Sequence, residues 1–245
     1  MKTPAPRSPL RTLLASARAR LPREAWILLI GVIAVGALLA FALLAGEVAR
    51  GDTKAFDEWL LTALRRPEDR AIPIGPRWLE GVALDLTALG SAAVLIAIVL
   101  AVLGQLAIER RRALLVETLV ASVGGWFLAV AMKELFSRER PTIVPHLQYA
   151  TSPSFPSGHS MLSAIVYLTL GAMLVRTTTD RALRAYYLGT AMLLTFVVGS
   201  TRVYLGVHYP TDVIGGWLVG SGWAATCTLV ARLVDRRLQG SPGPR

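Results

Sequence analysis

Residues 154–175 read S-F-P-S-G-H-S-M-L-S-A-I-V-Y-L-T-L-G-A-M-L-V. From Met161 to Val175 no charge interrupts the run. With its Pro-Ser start it approaches the roughly 20 residues that carry a helix across ~30 Å of hydrocarbon. His159 stands at the mouth of this run, directly behind Pro156, Ser157 and Gly158. A segment needed only as an anchor has no use for a histidine there.

The run is one of several. Of the 245 residues, 53% are hydrophobic, and apolar stretches fall near 25–46, 86–107, 114–133, 157–175, 185–206 and 212–233. These predict an all-α fold: a polytopic membrane protein with six transmembrane helices in one bundle. The alternation of a transmembrane barrel is absent. Residues 25–233 read as one membrane domain, 1–24 as a basic N-terminal arm and 234–245 as a C-terminal tail, both ends mobile. The first apolar core is longer than the ~7–15 residues of a signal peptide, so an uncleaved first helix is expected. Cys227, the single cysteine, lies within an apolar run and excludes a disulfide framework. In the first long connection, F-D-E-W-L-L-T-A-L puts Phe56, Trp59, Leu60 and Leu64 on one helical face. That predicts a short amphipathic helix at the membrane surface. Gly216 and Gly220, four apart, allow close helix contact.

The formal charge of +10 would suggest nucleic acid in a soluble domain. Here its distribution matters more. The N-terminal arm, the second and fourth connections and the tail together hold sixteen Lys and Arg against four acidic residues. The opposite ends are balanced, with ten basic and eleven acidic residues. The positive-inside rule places both termini in the cytoplasm, and six crossings agree. The partners expected are membrane lipids and no nucleic acid. The Arg/Ala-rich composition points to a bacterial cytoplasmic membrane.

Topology then gathers three polar stretches on the outer face. They are K-E-L-F-S-R-E-R-P (133–141), P-S-G-H (156–159) and S-T-R-V-Y-L-G-V-H-Y-P-T-D (200–212). Lys133, Arg140 and Arg202 supply three cations on the side where the charge bias does not require them. Charges near the membrane boundary are costly and usually have a partner or a function. Pro156 and Ser157 suit a helix start. The free N–H groups and positive dipole end of that helix face outward, and Gly158 lets an anion approach closely. Guanidinium forks suit phosphate. Asp212, four residues after His208, can fix the tautomer of His208 and leave its other nitrogen free to attack. His159 can then protonate a leaving oxygen. A metal held by the two histidines and Asp212 is the chemical competitor, disfavoured by the three cations. His146 has no motif around it and reads as a loop residue.

The combination resembles the type-2 phosphatidic acid phosphatase family, the lipid phosphate phosphatases related to vanadium haloperoxidases. The family pattern K-x6-R-P, P-S-G-H and S-R-x5-H-x3-D is matched by Lys133 to Arg140-Pro141, by Pro156 to His159, and by Arg202, His208 and Asp212. Thr201 stands where the pattern has serine. The resemblance spans about residues 50–233. It implies a phosphohistidine nucleophile at His208, oriented by Asp212, with His159 as general acid. It implies a phosphate cradle of Lys133, Arg140, Arg202, Ser157 and Gly158, and no metal or other cofactor. The stretch D-L-T-A-L-G-S (85–91) is also similar to one in bacterial members and has no assigned chemistry.

The function expected is therefore hydrolysis of a lipid phosphate or pyrophosphate on the outer face. Undecaprenyl pyrophosphate, phosphatidic acid and phosphatidylglycerol phosphate are the candidate substrates. A phosphotransferase of the same family is the nearest alternative, and a transporter of anionic lipids is the alternative from a different class. An oriented histidine is superfluous for transport. A haloperoxidase is disfavoured because those relatives are largely soluble. Oligomeric state is not legible in the sequence.

Overall fold

The structure, a computed structural model, describes residues 9–240, with side chains described over residues 25–237. The outermost parts of the two expected mobile ends, residues 1–8 and 241–245, lie outside the described residues. The chain forms eight helices among the described residues: α1 (Pro9–Arg50), α2 (Lys54–Ala63), α3 (Trp78–Ala88), α4 (Ala92–Ile108), α5 (Arg112–Phe136), α6 (Gly158–Val175), α7 (Arg181–Tyr204) and α8 (Pro210–Gly240). The basic arm is helical from Pro9 and continuous with the first span, and the tail continues α8 to Gly240.

Among the described residues five helices are long and apolar enough to cross a membrane: residues Ala25–Arg50, α5, α6, α7 and Pro210–Arg237. Their ends agree with the sequence expectation to within about four residues. The sixth expected span, 86–107, differs. It is a broken pair, α3 and α4, bent by 43°, and it begins at Trp78 rather than Leu86. Glu80 and Asp85 hide α3 from a hydropathy reading. The break has a local cause. Ser91 leaves the helical region and its side chain accepts the Val94 N–H at 3.4 Å, restarting the helix. The Leu89 carbonyl at the break accepts the Tyr167 hydroxyl of α6 at 2.7 Å.

The outer surface of α1 carries exposed Leu28, Val32, Val35, Leu39 and Leu43, the apolar belt a membrane span needs. Inward, α6 packs against α5, α7 and α8, and α1 packs along α8. Gly216 and Gly220 form the α6–α8 seam. A Cβ on Gly216 would fall 2.7 Å from the Ser157 carbonyl and 2.9 Å from Ser160 Cβ; one on Gly220 would fall 2.9 Å from Ala164 Cβ. At the positive-inside end, Arg176 binds Glu117 at 2.7 Å and Asp235 at 3.1 Å, so the one acidic residue within α5's apolar stretch is paired.

At the opposite end, an aromatic cluster fixes the loop that carries P-S-G-H. Phe155 is fully buried, stacked on Phe41 of α1 at 5.8 Å and edge-on to Phe136 of α5 at 5.0 Å. The Ser157 N–H donates to the Asp212 carbonyl at 2.9 Å, joining the N-termini of α6 and α8. Helix α2 exists as expected, but its packed face is Asp57 and Leu61, both fully buried, while Phe56 and Trp59 are exposed.

The α6–α8 seam yields a stability prediction. Gly216→Val forces a branched side chain against the Ser157 backbone, where overpacking costs about 1–3 kcal/mol. The detergent-purified variant is expected to unfold several degrees below the parent in a thermal scan. An unchanged Tm would contradict this contact.

Candidate active site

Three helix ends and two loops build the site. Helix α5 ends at Ser137, whose left-handed backbone (φ 44°) donates its N–H to the Lys133 carbonyl at 2.9 Å. That turn directs Arg138 and Arg140 back over the bundle. Helix α7 ends through Gly206 at φ +73°, where a Cβ would meet an Arg65 nitrogen at 2.6 Å. The following residues, Val207 and His208, are thereby turned inward and buried.

His208 is 1% exposed. Its Nδ1 lies 3.5 Å from Asp212 Oδ2 and 3.3 Å from Ser154 Oγ. Its Nε2 lies 3.2 Å from Arg140 Nη1. A guanidinium can only donate, so the contact with Arg140 requires a lone pair on Nε2. The imidazole proton is therefore on Nδ1, facing Asp212, and Nε2, facing Arg140, carries the lone pair. Asp212 is itself held from several sides. It accepts the Tyr209 N–H at 2.8 Å, Arg138 Nη1 at 2.6 Å and the Ser154 hydroxyl.

Burial pushes the pKa of His208 down to about 4, outweighing the upward pull of Asp212; Arg140 and Arg202 add to the fall. The imidazole is thus neutral near pH 7. An unfolded chain would protonate it near the ordinary value of 6.5. Between those values the unfolded state binds the proton that the folded state refuses, so this group makes stability fall as pH drops through that window.

The predicted cations converge on the same place. Lys133 Nζ donates to Ser152 Oγ at 2.8 Å and to the Pro153 carbonyl at 3.0 Å. Its stem lies against Gly158, 3.4 Å from where a Cβ would sit. Arg140 donates to the Val207 carbonyl at 2.6 Å and to the Ser152 carbonyl at 2.8 Å. Arg202, 3% exposed, donates to Thr87 at 2.9 Å and to Gln148. The Nε of Arg202 is buried with no hydrogen-bond partner. Among the described residues none of the three forms a salt bridge, whereas the neighbouring Arg138 forms two, to Asp57 at 2.8 Å and to Asp212 at 2.6 Å. Three cations without carboxylates, one with an orphaned buried donor, describe a seat for an anion.

His159 occupies the first turn of α6, half-buried, near enough to Arg202, His208, Lys133 and Arg140 to feel their charges. Ser157 is buried and its Oγ accepts from Ser160 at 3.0 Å, so its own hydroxyl proton remains available. Its N–H is committed to Asp212. Thr201 does not reach the site: its hydroxyl back-bonds to the Val198 carbonyl at 2.6 Å within α7. His146 lies 2.6 Å from the Pro141 carbonyl through Nε2, a loop contact.

Five participants escape the sequence reading. Ser154 bridges His208 and Asp212; Arg138, held by Asp57, braces Asp212; Thr87 and Gln148, 115 and 54 residues before it in the chain, hold Arg202 together. Thr87 gives the stretch 85–91 a role, because the same segment packs Gly90 against the His159 backbone, whose carbonyl would lie 3.3 Å from a Cβ at Gly90.

Residues 112–236 match the PAP2 superfamily. A phosphatidylglycerophosphatase B of Bacillus subtilis is 31% identical over 188 residues, covering 76% of this chain and 88% of that one. A decaprenylphosphoryl-5-phosphoribose phosphatase of Mycobacterium tuberculosis is 33% identical over 130 residues, covering 51% of this chain and 65% of that one. A crystal structure of a transmembrane PAP2-type phosphatidylglycerolphosphate phosphatase from Bacillus subtilis superposes with TM-score 0.73 at 26% identity, covering 86% of this chain and all of that one.

The depressed pKa of His208 is open to direct measurement. With three histidines in the chain, 15N-imidazole spectra of single His→Gln variants identify each resonance. The His208 signal is expected to be neutral, with its proton on Nδ1, throughout pH 5.5–8. A signal half-protonated near 6.5 would refute the burial argument.

Proposed function

Because the chain belongs to the PAP2 superfamily, we propose that it removes phosphate from a membrane lipid through a phosphohistidine at His208. That it is a multi-pass membrane protein and a phosphatase follows from its spans and its relatives. The observation that carries the mechanism is the two-sided environment of one imidazole: a carboxylate facing Nδ1, and at Nε2 the guanidinium of Arg140, which forms no salt bridge among the described residues.

The lipid phosphate seats its oxygens against Lys133, Arg140 and Arg202, with the Ser157 hydroxyl and the Gly158 N–H at the α6 N-terminus. The Nε2 lone pair attacks phosphorus, and the bond from phosphorus to the leaving oxygen breaks. His159 delivers a proton to that oxygen. The N–P bond leaves the imidazole cationic, and Asp212 stabilises it through Nδ1–H. Water then attacks the phosphohistidine as His159 takes back a proton, releasing inorganic phosphate and restoring Nε2. The cations supply the charge neutralisation that a metal supplies in other phosphoryl-transfer enzymes. No metal is assigned to the reaction.

The Lys/Arg asymmetry supports a bacterial cytoplasmic-membrane location with both termini inside and the site facing out. The names of the relatives make phosphatidylglycerol phosphate and a phosphorylated polyprenyl lipid the first to try, beside phosphatidic acid and undecaprenyl pyrophosphate. Residues 25–233 act as one catalytic membrane domain under this reading.

The test is phosphate release by the detergent-purified protein in excess chelator. Phosphatidylglycerol phosphate, phosphatidic acid and undecaprenyl pyrophosphate are compared. Release from at least one lipid is expected to persist in chelator, and His208→Ala is expected to lose at least about 10³-fold in kcat, the scale of losing a covalent nucleophile. Activity that survives in His208→Ala, or that needs added metal, would overturn the mechanism. Release that appears only with an added acceptor alcohol would make the protein a phosphotransferase.

A further inference from the structure

Asp57 lies outside the family pattern and outside the segment that matches the superfamily. It belongs to α2, the short helix whose Phe56 and Trp59 are 45% and 62% exposed. Yet Asp57 itself is fully buried, and a buried carboxylate is retained only with strong partners. Its carboxylate accepts Arg138 Nη2 at 2.8 Å, the Thr211 N–H at 3.0 Å, Thr211 Oγ1 at 2.7 Å and Thr53 Oγ1 at 3.1 Å. Arg138 in turn donates Nη1 to Asp212 Oδ1 at 2.6 Å and to Thr211 Oγ1 at 2.9 Å, with its plane 4.2 Å above the Tyr209 ring.

We propose that Asp57 is a positioning residue for phosphoryl transfer: through Arg138 it holds Asp212 in register with His208, and so couples the surface helix α2 to the nucleophile. The inference rests on the phosphohistidine reading above.

Charge and geometry both argue for it. Arg138 facing Asp212 alone would make a neutral pair, leaving little negative field for the imidazolium of a phosphohistidine. With Asp57 the cluster carries one net negative charge, and that charge lies on the Nδ1 side of the ring. The guanidinium fork is planar and rigid, so anchoring one nitrogen on Asp57 fixes where the other meets Asp212. Thr211, one residue before Asp212, is clamped by the same carboxylate. Burial works against the Arg138 charge, but Asp212 and Asp57 more than offset it and hold its pKa above the ordinary value.

The experiment is a kinetic double-mutant cycle on the full-length protein in detergent: parent, Asp57→Asn, Arg138→Gln and the double variant, each assayed on the lipid that the parent hydrolyses fastest. Asp57→Asn is expected to lower kcat 10- to 100-fold with KM and the inhibition constant for inorganic phosphate within threefold, because the cradle is untouched. The double variant is expected to be only slightly slower than Arg138→Gln, far short of the product of the two single effects, since Asp57 acts chiefly through Arg138 and only secondarily through Thr211. Asp57→Glu is expected to regain part of the loss. Arg138→Lys, which keeps the charge but loses the fork, supplies the same test should Asp57→Asn elute aggregated, and its kcat is expected to fall at least tenfold. Parent-like kcat in whichever of these two variants is read, multiplying effects in the cycle, or a phosphate affinity that falls with kcat would each overturn the proposal. A parent protein that releases no phosphate would overturn the phosphohistidine reading, and this inference with it.

Discussion

Asp212 is the residue on which the rest of the site depends, and its demands exceed what one side chain usually meets. Its carboxylate faces His208 Nδ1, the Tyr209 N–H, the Ser154 hydroxyl and Arg138. Its own carbonyl accepts the Ser157 N–H. One residue therefore sets the angle of the imidazole, the start of α8 and the start of α6. That joint is possible because α6 and α8 approach closely, and they approach closely because Gly216 presents no side chain to the Ser157 carbonyl. The path from a helix seam to a catalytic orientation is short: seam, shared N-termini, carboxylate, ring. A disturbance in the seam is transmitted to the nucleophile with little to absorb it, since packed interiors deform in discrete steps.

The second constraint is electrostatic. Burying a cation costs several kcal/mol unless something repays it. Arg138 is repaid by two carboxylates. Lys133, Arg140 and Arg202 are held instead by Ser, Thr and Gln side chains and by carbonyls, which orient a cation without cancelling its charge. Thr87 and Gln148 place Arg202 while its Nε remains unsatisfied. A fold that only needed stability would have paired these groups or replaced them. The positive end of α6 lies beside Lys133 and adds to the same field. The site is thus preorganised for negative charge before any substrate arrives, the arrangement that serves phosphoryl transfer best.

The spans and the three polar stretches were legible in the sequence because both rest on short-range signals. Hydropathy needs one window, and P-S-G-H or the Arg202–His208–Asp212 spacing needs one loop. Topology then brought the stretches together without any knowledge of side-chain contacts. What stayed hidden depends on distance along the chain. Asp57, Arg138 and Asp212 are separated by more than 70 residues at each step, and no local spacing announces such a triad. Asp57 is further disguised: in F-D-E-W it reads as the wet side of an amphipathic helix, whereas the structure buries it and exposes Phe56 and Trp59. Ser154 was the first letter of the stretch that drew attention to the site, but a serine before an aromatic residue carries no pattern. The break between α3 and α4 escaped for a different reason. Its acidic residues lowered the apolarity of α3, and the cap at Ser91 is a common residue in an ordinary context.

The ring of His208 separates two opposite fields, and this separation explains why the two halves of the site tolerate each other. Arg140 stands at Nε2, and Asp212, braced by Arg138 and Asp57, stands behind Nδ1. In the resting state burial, with Arg140 and Arg202 adding to it, keeps the ring neutral, so the lone pair is available. In the proposed mechanism, once phosphate is attached, the ring becomes a cation near Arg140 and Arg202. Two unit charges about 4 Å apart interact by roughly 4 kcal/mol at an effective dielectric of 20, too much to leave unbalanced. The phosphoryl oxygens absorb that repulsion on the front, and the net negative cluster of Asp57, Arg138 and Asp212 absorbs it behind. A lone Asp212 neutralised by Arg138 would leave the rear face without a field, and the intermediate would be raised relative to the bound lipid. Under the proposed mechanism the buried carboxylate of α2 therefore belongs to the chemistry, although its neighbours Phe56 and Trp59 are exposed.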